Sequence, residues 1–252
     1  MSHKTRAYKS HRNSSNVQEI KYSICMTNYN SIDTIWRSME SIFRELDNNF
    51  EVVVCDNLSD DGSLDILKKY AQQGKIHLIL KKSSRGTGRQ TAFEYSAGNY
   101  IISGIDTDDQ LKTNFKNFLN AYHLKHEGYM LSAGTIHIIP RCLVEKIGGW
   151  RDLKWGEDVD FFNRAKYLGV LHEFQDPIEL VERGDNKRSF FARLSERYDA
   201  SKFYYMIGKS VADQVRMSTL SYKPLIFSVA VFSNVLCKLH HTEKLRYSAL
   251  HK

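Results

Sequence analysis

At 252 residues, with 42% hydrophobic side chains and only three prolines, the chain is too large and too apolar to be a disordered segment, and it suits one sizeable domain with an appendage. Its formal charge of +7 and pI near 9.1 admit an anionic membrane surface or a phosphorylated substrate as partner. They argue little for nucleic acid, since much of the excess gathers at the ends (Lys4, Arg6, Lys9, Arg12; Lys238, Lys244, Arg246, Lys252) without an aromatic-interleaved stripe. Cys25, Cys55, Cys142 and Cys237 are scattered, with no CxxC pair or metal-ligand spacing, as expected of a reduced cytoplasmic protein.

Residues 1–19 are polar and basic, lack the apolar run of a secretory signal, and read as a flexible arm. Tyr22–Thr27 is a strand, followed by a helix over about Ser31–Leu46 with Ile35, Met39, Ile42, Phe43 and Leu46 along one stripe. Phe50–Cys55 is a second strand, ended by Asp56. A carboxylate at a strand tip can accept hydrogen bonds from a nucleobase or ribose, whereas Ser59 to Ser63 have the composition of a helix start. A helix over Ser63–Gln72 and a strand over Ile76–Leu80 follow. Arg85-Gly86-Thr87-Gly88-Arg89 then opens a helix over about Arg89–Ala97. Its glycines would let backbone N–H groups approach phosphate, with Arg85 and Arg89 available for a diphosphate, although the run is neither a Rossmann fingerprint nor a Walker loop. The fourth strand, Asn99–Ile105, delivers Asp106-Thr107-Asp108-Asp109 at its carboxyl end. Carboxylates so spaced can hold Mn²⁺ or Mg²⁺; the competing reading is a cap on a helix beginning near Leu111.

Beyond this point the pattern changes. Tyr129–Ala133 and Thr135–Ile139 are short strands, a helix runs from about Pro140 to Ile147, and Gly148-Gly149-Trp150 leads into a loop with Trp155. In the next helix, about Glu157–Leu168, Asp158 shares a face with Phe161, Ala165 and Leu168, and is either a first-turn acid favoured by the helix dipole or a general base. From Ser189 the chain is helical and aromatic-rich. Residues 224–239 are apolar but too short to span a bilayer comfortably, so they either pack internally or lie at a membrane interface. The alternation of strands and helices predicts an α/β fold, a mostly parallel sheet with helices on both faces. The predicted divisions are residues 1–19, 20–185 and a helical extension over 186–252.

Strand-tip Asp56 with Ser59-Asp60-Asp61-Gly62-Ser63, Gly86–Arg89, Ile105-Asp106-Thr107-Asp108-Asp109, Ile147-Gly148-Gly149-Trp150 and Gly156-Glu157-Asp158 follow one another in a characteristic order after Thr27-Asn28-Tyr29-Asn30. In this the chain resembles the family-2 glycosyltransferases of GT-A fold, from about Lys21 to Glu182. The resemblance implies an inverting, metal-dependent transfer from a nucleotide-diphosphate sugar, UDP most commonly, to a hydroxyl of a glycan or lipid-linked acceptor. Thr27, Asn28, Asn30, Asp56, Arg85, Arg89 and Asp106 would bind the donor nucleotide, and Asp108 would grip Mn²⁺ or Mg²⁺. Asp158 would be the base, with Trp150, Trp155 and Glu157 on the acceptor side. Many relatives complete the metal shell with a His after the acceptor helix; here Leu180-Val181-Glu182-Arg183 has none, and Glu182 would substitute as an oxygen ligand. A cytoplasmic enzyme, peripheral at the inner face of the membrane, would follow. The rival readings are a catalytically inactive sugar-nucleotide or glycan-binding module and an NDP-sugar nucleotidyltransferase. The latter usually carries a glycine-rich loop after the first strand, and Thr27-Asn28-Tyr29-Asn30-Ser31 has none.

Overall fold

The computed structural model describes residues 6–8, 21–174, 180–183, 190–217, 223–240, 242 and 244. The chain divides into two compact units, Met1–Leu153 with Glu157–Asn186, and Lys154–Gly156 with Lys187–Lys252.

The first unit contains, in chain order, β1 (Arg6–Tyr8), β2 (Tyr22–Asn28), α1 (Ile35–Glu45), β3 (Phe50–Asp56), α2 (Ser63–Gln72), β4 (His77–Leu80), α3 (Arg85–Glu94) and β5 (Tyr100–Ser103). It continues with β6 (Asp109–Leu111), α4 (Phe115–Lys125), β7 (Met130–Ala133), β8 (Ile136–Pro140), α5 (Arg141–Ile147), α6 (Glu157–Tyr167), β9 (Leu171–Glu173) and β10 (Val181–Arg183). Eight strands form one sheet in the order β1, β4, β3, β2, β5, β8, β7, β9, while β6 and β10 form a separate two-stranded sheet. The centre of the large sheet is parallel, β4 to β3 to β2 to β5, and β8 is inserted antiparallel between β5 and β7.

The apolar runs of β2 and β3 are continuous because helices cover both faces of the sheet. Ile24, Met26, Val52 and Val54 point to one side, into a core with Ile35, Met39 and Ile42 of α1 and Phe115, Phe118 and Tyr122 of α4. Cys25, Val53 and Cys55 point to the other, where Phe93 of α3, Ile147 of α5 and Phe161 of α6 close the layer. Each such side chain contributes about 1.5–3 kcal/mol through burial. The same burial pushes the Cys55 thiol up to about 11, so it acts as a small core residue.

Three local expectations are corrected. Arg6–Tyr8, inside the stretch read as a flexible arm, pairs antiparallel with β4, Arg6 opposite Leu80. No helix begins near Leu111: Asp109–Leu111 pairs with β10, and α4 begins at Phe115. The backbone after the acid cluster is thus spent on a β ladder, which removes helix capping as an explanation of Asp108 and Asp109. Finally, α3 begins at Arg85 rather than Arg89, so Gly86 and Gly88 lie inside its first turn.

The second unit contains α7 (Phe190–Met206), α8 (Val211–Met217) and α9 (Lys223–Leu239). Among the described side chains of α9 the buried ones are Ala230, Ser233 and Cys237, and the helix packs with α7 and α8. Trp155 belongs to this unit, its ring 5.6 Å from that of Phe203 and 5.4 Å from that of Tyr204.

Candidate active site

The carboxyl ends of β2 and β3 stop side by side, Asn28 opposite Asp56 as the last pair of their ladder. Both are buried. Asn28 Nδ2 donates to Asp56 Oδ2 at 2.7 Å, Ser59 Oγ donates to the same oxygen at 2.8 Å, and Ser59 N donates to Asp56 Oδ1 at 2.9 Å. Asp56 is therefore held by neutral donors. The flanking turns are laced together: Asn30, at φ 49°, donates from Nδ2 to Asp60 Oδ1 at 2.9 Å. Asn tolerates this left-handed backbone where a β-branched residue would not. Asp61 accepts from Ser63 N, Ser63 Oγ and Ile32 N. Partial burial works to raise its carboxyl, but these hydrogen bonds outweigh it and hold Asp61 below the usual range.

The glycine-rich stretch does not form the phosphate cradle expected of it. Gly86 N donates to Leu153 O, Thr87 N to Ser84 Oγ and Gly88 N to Ser84 O, so these backbone donors are taken. The start of α3 already faces a carboxylate: Asp152 Oδ1 accepts from Ser84 Oγ and from Thr87 Oγ1, at 2.9 Å for the latter. The glycines are there for proximity. A Cβ on Gly86 would sit 1.9 Å from Arg151 O, and one on Gly88 would sit 2.8 Å from Thr27 Cγ2.

This tight approach brings Arg89, 3% exposed, to the centre of the site. Its Nε donates to Glu157 Oε1 at 3.1 Å, and its Nη2 lies 3.1 Å from Asp106 Oδ1 and 3.0 Å from Asp158 Oδ2. One guanidinium thus ties α3, the loop after β5 and the first turn of α6. Burial works against its charge, but the carboxylates of Asp158, Asp106 and Glu157 outweigh that and hold it firmly protonated. Burial also pushes the Glu157 carboxyl up, Asp158 adding to this and Arg89 opposing it. Arg89 Nη1 is buried without a hydrogen-bond partner. Arg85 lies further out, its Nε 3.9 Å from Glu157 Oε1.

Asp158 is oriented from both sides, because Trp150 Nε1 donates to its Oδ1 at 2.9 Å. Trp150 stacks on Phe161 at 4.5 Å, so the apolar face of α6 fixes the indole that fixes the carboxylate. Beneath them is an ion pair that sequence reasoning missed. Arg164 Nη2 meets Asp160 Oδ2 at 2.8 Å, and the same side chain donates to Ile147 O and Gly149 O, locking the Gly148-Gly149 turn to α6. The i,i+4 Asp–Arg spacing was its only signal. Trp150 and Glu157, placed on the acceptor side by the resemblance, are both buried behind Asp158; Trp155 lies in the second unit.

The acid cluster fits a hard divalent cation. Ligand oxygens of Asp106, Asp108 and Asp109 lie within 4.8 Å of one another, and three carboxylates are the donor set that Mg²⁺ or Mn²⁺ takes. Asp109 Oδ2 also accepts from Asp106 N at 3.0 Å, which shapes the turn. Glu182 stands opposite Gln110 in the β6–β10 pair, one position from Asp109 along the ladder, and is not a member of that cluster.

A mostly parallel sheet whose central strand tips carry an asparagine–aspartate pair, an acid cluster and a helix-borne carboxylate on one arginine has the GT-A architecture of nucleotide-sugar enzymes. Glycosyl transferase family 2 matches residues 23–175, well over half the chain, and the protein belongs to that family. The UDP-Glc:alpha-D-GlcNAc-diphosphoundecaprenol beta-1,3-glucosyltransferase WfaP of Escherichia coli is 33% identical over 89 residues, which is 34% of this chain and 35% of that protein. The chain thus spans about a third of the length of such curated relatives. Among solved structures, S. aureus TarS 1–349 in complex with UDP-GlcNAc aligns with a TM-score of 0.59 at 16% identity, over 86% of this chain and 73% of that one. The mannosyltransferase PcManGT from Pyrobaculum calidifontis, in complex with GDP-Man and Mn²⁺, also aligns at 0.59, with 15% identity over 93% and 79% of the two chains.

Proposed function

We propose that this protein transfers a sugar from a nucleotide-diphosphate donor to a hydroxyl acceptor, with inversion at the anomeric carbon. The observation that carries the reading is that one nitrogen of Arg89 touches both Asp106 of the acid cluster and Asp158 of α6. Donor binding and proton abstraction then share one site. The acceptor hydroxyl gives its proton to Asp158 while its oxygen attacks the anomeric carbon opposite the diphosphate. The bond from that carbon to the diphosphate oxygen breaks, and the diphosphate leaves with the charge. A single displacement of this kind needs one base and inverts the configuration. Asp108, with Asp106 and Asp109 beside it, would hold Mn²⁺ or Mg²⁺, which would offset charge on the leaving group; Glu182, paired with Gln110, alternates to the other face of the ladder and takes no part.

Asp56 and Asn28 bind the base or ribose by exchanging Ser59 for donors on the ligand, with Thr27 and Asn30 at the end of β2 and Arg85 at the start of α3. Arg89 faces the diphosphate with its unpartnered Nη1 and holds the carboxylates with its other nitrogens. Trp150 and Glu157 position the base from behind. UDP is the favoured nucleotide, supported by the UDP-GlcNAc bound to TarS and the UDP-Glc in the name of the E. coli relative. That relative's lipid-linked acceptor supports a glycan or lipid-linked acceptor here, met at the inner face of a membrane.

The test is a thermal-shift panel of UDP-, GDP- and dTDP-sugars, each with Mn²⁺ and with EDTA, on the wild type and Asp108→Ala. One nucleotide class should raise Tm with Mn²⁺ present, and the rise should vanish with EDTA and in the variant. Silence across the panel from well-folded protein overturns the donor site and leaves a glycan-binding module.

A further inference from the structure

The two units differ sharply in charge. Lys154–Gly156 and Lys187–Lys252 contain 13 Lys and Arg against 4 Asp and Glu, a net charge of +9; the remaining residues contain 23 against 25, a net charge of −2. The whole basic excess of the chain therefore belongs to the helical unit.

The same unit exposes an apolar face. Phe227 is 54% exposed and Phe232 61%, and Val231, Val235 and Leu239 are exposed with them. At about 100° per residue these positions fall on one arc of about 140°, broken only by Ser228 and Lys238. The opposite side of α9 carries the buried Ala230, Ser233 and Cys237. A continuous strip of aromatic and aliphatic side chains on the water side of a packed helix marks a contact surface, since isolated exposed residues do not line up in this way. At 17 residues α9 is about 25 Å long, and no helix among the described residues is long and apolar enough to cross a membrane.

We propose that α9 lies flat on an anionic lipid bilayer, with Phe227, Val231, Phe232, Val235 and Leu239 entering the boundary between headgroups and acyl chains. The basic excess of the unit is drawn to the lipid phosphates. Charge decides between occupants of this face. A second copy of the chain would bring a like-charged unit against it, whereas each Lys or Arg near an anionic leaflet adds attraction. This surface is independent of sugar transfer, although it would carry the proposed enzyme to a lipid-linked acceptor.

Sedimentation of the full chain with phosphatidylcholine vesicles, with and without phosphatidylglycerol, tests this in the absence of any nucleotide sugar. Its outcome is therefore separate from that of the donor panel. The wild type should bind the phosphatidylglycerol vesicles and lose binding as salt rises. Phe227→Ser with Phe232→Ser, which leaves the charge unchanged, should bind at least about tenfold more weakly with the same circular dichroism. Absence of vesicle binding by the wild type, or equal binding by the double variant, overturns the proposal. So does elution of the wild type as a dimer that the double variant converts to monomer.

Discussion

Two side-chain clusters beside neighbouring strand tips hold their carboxylates by opposite means. Around Asp56 every partner is neutral: Asn28 from the adjacent strand and Ser59 from its own turn. Around Arg89 every partner is charged, and Asp106, Glu157 and Asp158 come from two separate segments of the chain. In the neutral cluster one donor can be exchanged for another without a change of charge. The charged cluster cannot lose its cation without leaving three carboxylates facing one another, and its guanidinium holds distant elements in one arrangement.

The strongest way to break this contrast is Arg89→Met. Taking the shared cation from the buried Glu157 carboxylate should cost about 3–5 kcal/mol by denaturant unfolding and abolish transfer. Asp158→Asn, which keeps the shape of the base, should lower turnover about 10²–10⁴-fold while Tm and donor affinity stay close to wild type. If donor affinity collapsed with it, Asp158 would belong to donor binding. On the neutral side the effects should be smaller: Asn28→Ala, which leaves Asp56 short of one donor, should cost about 1–3 kcal/mol in unfolding free energy. A slope with pH gives the finest distinction. His137, whose Nδ1 is buried without a partner, is pushed down to about 3 by burial and, secondarily, by the charge of Arg89. Between pH 6.5 and that value the unfolded chain binds the extra proton and the folded one does not. Stability should therefore fall as pH falls through this window, by at most about 1.4 kcal/mol per pH unit from this residue. His137→Gln, which cannot titrate, should show the shallower slope.

The sequence and the structure agree where the signal is local. The apolar runs of β2 and β3 and the stripe Ile35, Met39, Ile42 of α1 announce buried elements directly, and Asp56 falls at a strand tip because its strand ends there. The order of acidic motifs identifies the family because six short motifs in one order are jointly specific. What sequence did not reveal depends on tertiary contact. Glycines are poor helix formers, so Gly86-Thr87-Gly88 reads as a loop, yet the carbonyls of Arg151 and Leu153 select a helix that only glycine can bring so close. Leu111 reads as the start of a helix, but Val181 pairs with it from some seventy residues away and makes a strand. The sequence leaves Arg89 available to a diphosphate; its burial beside three carboxylates is set by α6, which no pattern near Arg89 encodes. Arg164 and Asp160 show only a helical spacing in sequence, and their grip on the Gly148-Gly149 turn is a tertiary contact that the spacing does not encode.

In the proposed reaction the acid cluster forms the donor-metal site while Asp158, tied to it through Arg89, does other work. Electron paramagnetic resonance of Mn²⁺, whose free-ion signal disappears on binding, tests this with UDP as the probe. The expected result is Mn²⁺ binding by the wild type in the presence of UDP, lost in Asp108→Ala and retained in Asp158→Asn. Mn²⁺ binding that survives Asp108→Ala, or that fails in folded wild type with UDP present, would contradict it.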